Sequence, residues 1–480
     1  MPARDACGVV GFYSEDLDAA RHIFFSLFAL QHRGQESSGI SVSNGDQLRT
    51  YKKMGLVAQV FNEEALSRLR GRIGIGHNRY STTGSSANSN AQPITVNTRI
   101  GEIAVAHNGN LVNYKEVAGK LKEWGEPIRS LNGSDSILVA LVIKHFLEET
   151  DDLATAVSRA FPYLRGAFSL VILSKDTLIG LRDRNGLRPL CIGEFDDGKA
   201  TIIASESCAL SVNQAYFVRE ITPGEMVAFD KDGYHSKQLA DPDPKLCMFE
   251  FVYTARPDSM LLGQSVYKVR RRFGEELAKE YLPEVDIVVP VPDTATPVAH
   301  GYARAADLPF EEGLIKNRYI HRTFIEPDAE ARQDKVRMKL TPLPSVLDGQ
   351  RVAVIDDSIV RGTTCKKIVR LLREAGAKEV HMLISSPPIR YPDFYGIDIP
   401  DPKVLIGAER TVKEIGQFIG ADSLHYLSLE GAVRAIGVSQ DLLETACFTG
   451  DYPVWPEQLG KQPARKSSSA SRFSTKTNQD

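Results

Sequence analysis

Two adjacent aspartates, Asp356 and Asp357, end the apolar run Val352 to Ile355 and open a short polar loop. The stretch 351–376 reads RVAVIDDSIVRGTTCKKIVRLLREAG. Its loop passes from Ser358 through Ile359, Val360, Arg361, Gly362 and Thr363 to Thr364, after which Ile368, Leu371, Leu372 and Ala375 recur at helical spacing. Gly376 is placed to cap that helix. A loop feeding a helix N-terminus aims backbone N–H groups and the positive end of the helix dipole at one point, which suits a phosphate. Gly362 lets the backbone come close, and the two threonines add hydroxyl donors. No GxxxxGK(S/T) run occurs, so triphosphate hydrolysis is not indicated. Paired carboxylates would repel a phosphate that they met directly. They fit sugar hydroxyls, or a divalent cation that a diphosphate also binds.

A second group of residues lies near the N-terminus. Cys7 stands in DACGVVGFY, just before an alternating, strand-like run. LQHRGQESSGI (30–40), GHNRYSTTG (76–84), AHNGNLVN (106–113) and GSDSILVALVI (133–143) follow. Each puts small and polar residues at the end of a β-rich segment, as a ligand pocket requires. A strand-start cysteine alone reads as core packing. The company of these motifs shifts that reading.

Elements must hold these residues in place. LRGAFSLVIL (164–173) alternates as a strand, and Asn185-Gly186 marks a turn between strands. In the second half DIVVPVP (286–292), PFEEGLI (309–315), RVAVIDD (351–357) and EVHMLISSPP (379–388) read as strands, with a helix over 297–306. Strands alternating with helices predict a mostly parallel, doubly wound sheet with ligands at its carboxyl edge. ADPDPKL (240–246) has the Pro and Asp density of a connection between domains. Cys191 and Cys208 read as small buried apolar residues. Arg188 reads either as a contact to the active-site domain or as a structural residue.

The totals narrow the class. The chain has 480 residues, 42% hydrophobic and 25% charged, which fits a globular enzyme of two or three domains. A net charge of −3 argues against a nucleic-acid partner. Six scattered cysteines without a CxxC pair fit reduced thiols in a cytoplasmic protein. Neither a signal peptide nor an 18-residue apolar run is present, so no membrane role is expected.

Residues 7–235 resemble the class II, N-terminal-nucleophile (Ntn) glutamine amidotransferases, on the motifs around Cys7, Gly34, Arg79, Asn108 and Asp135. That resemblance implies a four-layer αββα Ntn-hydrolase sandwich. It implies that Cys7 is the nucleophile, with its own α-amino group as base. Arg79 would clamp the glutamine α-carboxylate and Asp135 its α-ammonium. Asn108 and the Gly109 N–H would form the oxyanion hole, and Gly34 would let the chain pass close to the ligand. Because a peptide bond blocks the Cys7 amine, residues 1–6 (MPARDA) are expected to be a propeptide.

VIDDSIVRGTT resembles the phosphoribosyl diphosphate (PRPP) loop of the type I phosphoribosyltransferases, here expected over 259–455 after a linker at 236–258. The resemblance puts Asp356 and Asp357 on the ribose hydroxyls and on one Mg²⁺ per subunit, with Thr294 as a further metal contact. Ser358 to Thr364 would wrap the 5′-phosphate. Residues 316–339 match a mobile lid whose Lys316, Arg318 and Arg337 are candidate diphosphate contacts.

The two halves in this order, joined by CMFEFVYTARPDS (247–259), resemble the glutamine PRPP amidotransferase family. The implied reaction moves ammonia from glutamine to C1 of PRPP, giving 5-phosphoribosylamine at the start of purine synthesis. Feedback inhibition by purine nucleotides and a homodimer or homotetramer are family expectations. Some members carry a four-iron, four-sulfur cluster on four cysteines. Here Cys247 matches the first ligand and Asp393 the second, while the last two fall near Asp441 and Glu444. Cys447 matches a non-ligand, so no cluster is expected. Two other readings stay open: a non-catalytic PRPP or nucleotide sensor, and a sister class II amidotransferase with another ammonia acceptor. Residues 456–480 are polar and Ser- and Lys-rich, as in a disordered tail.

Overall fold

The computed structural model describes residues 7–80, 90–126, 135–195, 198–317, 339–397, 399 and 402–462. The expected propeptide lies outside the described residues, as do Arg318 and Arg337.

Period-two alternation builds the first half. Strands β1 (Gly8–Ser14), β2 (Ser37–Ser43), β3 (Leu48–Met54) and β4 (Ile73–Arg79) belong to a seven-stranded antiparallel sheet. So do β9 (Cys191–Glu194), β10 (Ala200–Ala204) and β11 (Tyr216–Glu220), in the order β11-β9-β10-β1-β4-β2-β3. A six-stranded sheet takes β5 (Ile94–Thr98), β6 (Gly101–Leu111), β7 (Gly166–Leu173), β8 (Leu178–Arg182), β12 (Glu225–Asp230) and β13 (Gly233–Gln238), ordered β13-β12-β8-β7-β6-β5. Val9, Ala104, Ala106, Val171 and Leu173 meet between the sheets. Their chain neighbours point the other way, since side chains alternate along a strand. Val10 and Phe12 pack under helix α1 (Ala19–Ala29). Ile103, Val105, Leu170 and Ile172 pack under α2 (Tyr114–Glu123), α3 (Asp135–Leu147) and α4 (Leu153–Ala160). The result is the expected αββα sandwich. A Cβ on Gly11 would lie 2.7 Å from the Val171 side chain, so the sheets close tightly there.

The second half is the expected doubly wound sheet. Strands β14 (Ile287–Pro290), β17 (Arg351–Asp356), β18 (Glu379–Ile384) and β19 (Ser423–Tyr426) are parallel and in that order. Ala353 and Ile355 face α5 (Val266–Glu280), α6 (Thr296–Ala306) and α9 (Leu429–Ile436). Val352 and Val354 face α7 (Thr363–Glu374) and α8 (Val412–Ile419). Helices α5 and α6 cross at two glycines, where a Cβ on Gly274 or on Gly301 would lie 1.9 Å from a backbone oxygen of the other helix.

Three boundaries differ from the sequence reading. The segment 309–315 gives only a bridge at Phe310, and Leu314 belongs to β15 (Leu314–Lys316), which pairs with β16 (Leu340–Pro342) outside the main sheet. The stretch read as a linker is packed. Residues 236–238 continue β13, Leu246 and Cys247 pair with Leu443 and Glu444, and Phe249 and Phe251 enter the core. Residues 456–462, read as tail, are built onto the first half: Glu457 donates its N–H to the Val112 carbonyl, and its side chain accepts from the Lys115 N–H at 2.8 Å. No described helix is long and apolar enough to cross a membrane.

Candidate active site

The first site forms where β1 and β4 run side by side. Gly8 pairs with Asn78, so Cys7 arrives beside the Tyr80 backbone. The thiol donates to the Tyr80 carbonyl at 3.5 Å and accepts from the Tyr80 N–H at 3.4 Å. Burial pushes the Cys7 pKa up; the Tyr80 N–H and the charges of Arg79 and Arg33 work against that rise, and Asp135 adds to it. With residues 1–6 attached, the Cys7 nitrogen is an amide and offers no base.

Asp135, Asn108 and Gly109 come from the other sheet and its helices. Asp135 opens α3, and its carboxylate accepts from the Leu111 N–H at 2.8 Å, just past the end of HNGN. His77 bonds through Nε2 to the His107 carbonyl at 3.0 Å, which ties the ends of β4 and β6 together. Burial lowers its pKa to about 3, so the ring is neutral and Nε2 carries the proton. Asn108 is fully buried, and neither its amide nitrogen nor its amide oxygen meets a partner among the described residues. An unpaired buried amide costs about 1–3 kcal/mol, so it marks a place kept for a ligand. Gly109 has φ of 138°, and a Cβ there would lie 2.0 Å from the Ala167 oxygen.

Two of the predicted residues already have close neighbours within the protein. Arg79 is buried and pairs with Glu36 at 2.9 Å, so a glutamine carboxylate would have to share or replace that partner. Gly34 makes its close approach to backbone, since a Cβ would lie 2.6 Å from the Asn78 oxygen. It shapes the wall that carries Arg79.

The second site stands at the carboxyl edge of the parallel sheet. Asp356 ends β17, Asp357 follows it, and both are buried. The Asp357 N–H donates to the Asp356 carboxylate at 2.9 Å, and the Ser358 hydroxyl donates to that of Asp357 at 2.6 Å. Burial, and then the Asp357 charge, hold the Asp356 pKa well above the ordinary carboxylate range. Such an all-oxygen pair, disfavoured when both members ionise alone, fits a hard divalent cation. Gly362, with φ of 73°, is the N-cap of α7, and Thr363 and Thr364 are its first residues. Helix α7 therefore begins earlier than its apolar spacing shows. Ile359 and Val360 turn their side chains into the core, the Val360 carbonyl accepts from the Ile406 N–H at 2.9 Å, and Arg361 is exposed. The Val291 N–H donates to the Ile355 carbonyl at 2.8 Å, which brings the turn carrying Thr294 beside the two aspartates. Lys316 reaches the same edge and is ion-paired with Asp293.

Residues 77–212 match the glutamine amidotransferase domain model, and residues 261–386 the phosphoribosyl transferase domain model. The amidophosphoribosyltransferase of Synechococcus elongatus is 49% identical over 95% of this chain and 93% of its own. That of Methanocaldococcus jannaschii is 47% identical over 93% of this chain and 98% of its own. The chain belongs to the amidophosphoribosyltransferase family. A solved structure of glutamine PRPP amidotransferase from B. subtilis, complexed with ADP and GMP, superposes on this family member with a TM-score of 0.87 at 41% identity. It covers 94% of this chain and 98% of its own. A second, titled as the allosteric regulatory enzyme of purine biosynthesis, gives 0.88 at 41% identity, covering 94% and 97%.

Sequence reasoning did not join the residues that link the two halves of this chain. Arg33, in the QHRGQ motif, donates to the Cys7 carbonyl at 3.0 Å and pairs with Glu206 and Glu250. Arg188 pairs with Glu250 at 3.2 Å and donates twice to the Tyr395 carbonyl. All four charged side chains are fully buried. The position of Arg33 inside a motif was a usable signal. Arg188 was read as a domain contact or a structural residue, and Glu250 stood inside the joining stretch 247–259, but neither reading named the partner.

The cluster positions also need correction. Cys247, Asp393 and Glu444 have ligand atoms within 4.8 Å of one another and could hold a metal ion, whereas Asp441 is exposed. Cys447 is buried close enough that, after burial itself, the charges of Glu444, Cys247 and Asp393 raise its pKa. The short parallel pairing of Leu246–Cys247 with Leu443–Glu444 fixes this register, which spacing alone left open. A second thiol, Cys447, thus lies near the group without being one of its three close ligand atoms.

Proposed function

We propose that this chain hydrolyses glutamine at Cys7 and transfers the ammonia to C1 of PRPP, giving 5-phosphoribosylamine, glutamate and diphosphate for purine synthesis. The observation that carries the glutaminase half is the buried, unpartnered amide of Asn108 beside the φ-positive Gly109. Once residues 1–6 are removed, the Cys7 α-amine takes the thiol proton and the sulfur attacks the side-chain amide carbon. Asn108 Nδ2 and the Gly109 N–H receive the oxyanion. The carbon–nitrogen bond breaks, the protonated nitrogen leaves as ammonia, and water hydrolyses the thioester to glutamate. Arg79, released in part from Glu36, and Asp135 hold the two ends of the amino acid.

In the second half Asp356 and Asp357 hold the ribose hydroxyls, and the loop from Ser358 to Thr364 takes the 5′-phosphate at the α7 N-terminus. Ammonia forms a bond to C1 as the bond from C1 to the diphosphate oxygen breaks, through an oxocarbenium-like transition state. Thr294, Asp356 and Asp357 would hold Mg²⁺, which when bound offsets the charge of the departing diphosphate. Lys316 supplies a further positive charge once it exchanges Asp293 for that group. Purine nucleotides are the expected inhibitors of a homo-oligomer, in line with the ADP and GMP of the solved relative. Asp393 and Glu444 put carboxylates beside Cys247 where a four-iron cluster would need thiolates, so no cluster is expected. Iron found together with acid-labile sulfide in the purified protein would sink that part.

Intact mass and paired assays test the main reading. A mature chain that begins at Cys7 should make phosphoribosylamine with glutamine or with ammonia, and Cys7→Ala should keep only the ammonia-driven reaction. A mature chain inactive with both nitrogen sources would refute the proposal.

A further inference from the structure

We infer that the transferase-half segment Asp393–Ile397 is a positioning strap for the glutaminase oxyanion hole, anchored by Arg188 and Asn110; this rests on the oxyanion role proposed for Gly109. After β18 the chain leaves the parallel sheet and crosses to the first half. Arg188, fully buried, gives the Tyr395 carbonyl two hydrogen bonds, from Nε at 3.0 Å and from Nη2 at 2.9 Å. Asn110, the residue after Gly109, donates from Nδ2 to the Phe394 carbonyl at 2.8 Å. Gly396 then lies against Gly109 itself: a Cβ on Gly396 would be 3.3 Å from the Gly109 Cα and 3.4 Å from its carbonyl carbon.

The strap has little freedom of its own. The Asp393 carboxylate accepts from the Tyr395 N–H at 2.9 Å and from the Ile397 N–H at 2.7 Å. Tyr395 is fully buried, and its hydroxyl donates to the Val454 carbonyl at 2.7 Å. Gly109 is thus held from two sides. The Ala167 backbone of β7 limits it within its own sheet, and Gly396 limits it from the other half. An oxyanion donor is useful only when its direction is fixed before charge develops. The peptide that carries the Gly109 N–H therefore takes its orientation partly from the transferase half.

Gly396→Ala puts a methyl against Gly109 and forces a side chain into φ of 114°. Asn110→Ala is the milder variant, removing only the Phe394 anchor. With either one, glutaminase kcat should fall by about 10-fold or more while KM for glutamine changes less, since an oxyanion donor acts mainly in the transition state. A γ-aldehyde analogue of glutamine, whose hemithioacetal oxygen occupies the hole, should bind more weakly, with glutamate affinity unchanged. Ammonia-dependent synthesis should stay near the parent value. Unchanged glutaminase in both variants would overturn the inference. A parallel loss of glutamine- and ammonia-driven activity would overturn it too, because the strap would then serve the fold alone. Parent enzyme that lacks glutaminase activity after maturation would instead remove the reading on which the strap depends.

Discussion

Asn108 and His77, which bonds to the carbonyl of the residue before Asn108, differ in role: one is polar and kept open, the other is polar and closed off. For Asn108, replacement by Ala deletes the donor but little volume. Glutaminase kcat should drop about 10²–10³-fold with ammonia-driven synthesis preserved, as for loss of one oxyanion donor elsewhere. A drop under threefold in steady-state assays would remove Asn108 from the hole. For His77 the readout is stability against pH. Its folded pKa of about 3 lies below the ordinary 6.5, so the unfolded chain binds a proton first as pH falls. The contribution is complete above pH 6.5 and is lost between 6.5 and 3. Asp183, raised by burial to about 6, works in the opposite sense between that value and 3.8. Comparison with His77→Gln isolates the histidine: from pH 7 to 5 the parent should lose about 2 kcal/mol more than the variant in denaturant titrations. Equal losses would show that His77 titrates freely. At this scale the sequence was informative chiefly for residues whose motif implies a role of their own. Cys7, Arg79, Asn108 and Asp135 were singled out that way. Glu36 was not singled out, because an acid among Gln and Ser residues has no partner visible along the chain.

Helix α7 shows how an element turns sequence into a binding edge, and where spacing stops informing. Its apolar positions begin at Ile368, yet the helix starts at Thr363, because Gly362 in the left-handed region directs the chain into the first turn. A side chain there costs about 1–2 kcal/mol in backbone strain. It would also press on Ile406, whose Cδ1 lies 3.0 Å from a Cβ on Gly362. Gly362→Ala should therefore raise KM for PRPP by about 10-fold or more through displacement of the N-terminal amides, with glutaminase kcat little changed. An unaltered KM would mean that the loop tolerates the shift, and that those amides do not hold the phosphate. Alternation made the parallel strands legible, since Val352 and Val354 against Ala353 and Ile355 name two covered faces. The segments 236–258 and 309–315 were misread for a different reason. Whether a short apolar run becomes sheet, ribbon or packed crossing depends on a partner far away in the chain. Leu246 meets Leu443, and Leu314 meets Pro342.

Across the whole molecule, the two catalytic halves meet over a line of buried charge. Arg33 and Arg188 share the Glu250 carboxylate, Arg33 also holds Glu206, and Glu206 accepts from Ser259 and from the Arg256 N–H. Burial alone would raise the Glu206 pKa, but His32 and Arg33 outweigh it and hold the carboxyl well below its usual range. These residues are scattered over more than two hundred positions of sequence, so pattern reading had no means of joining them. Removing the shared acid is the sharpest test of what the line does. Glu250→Ala leaves two fully buried guanidinium groups without their common partner, which should destabilise the protein by about 3–5 kcal/mol. Glu250→Gln keeps the shape and hydrogen-bond acceptor, so it should recover part of that loss. If the line couples the halves, the parent unfolds in one calorimetric transition, and Glu250→Ala either lowers that transition as a unit or splits it in two. A variant with parental midpoint and a single unshifted transition would show that the packed segment 247–254, not its charge, holds the two sites together. The strap at Gly396 would then owe its position to apolar packing around Phe249 and Tyr395 rather than to Arg188.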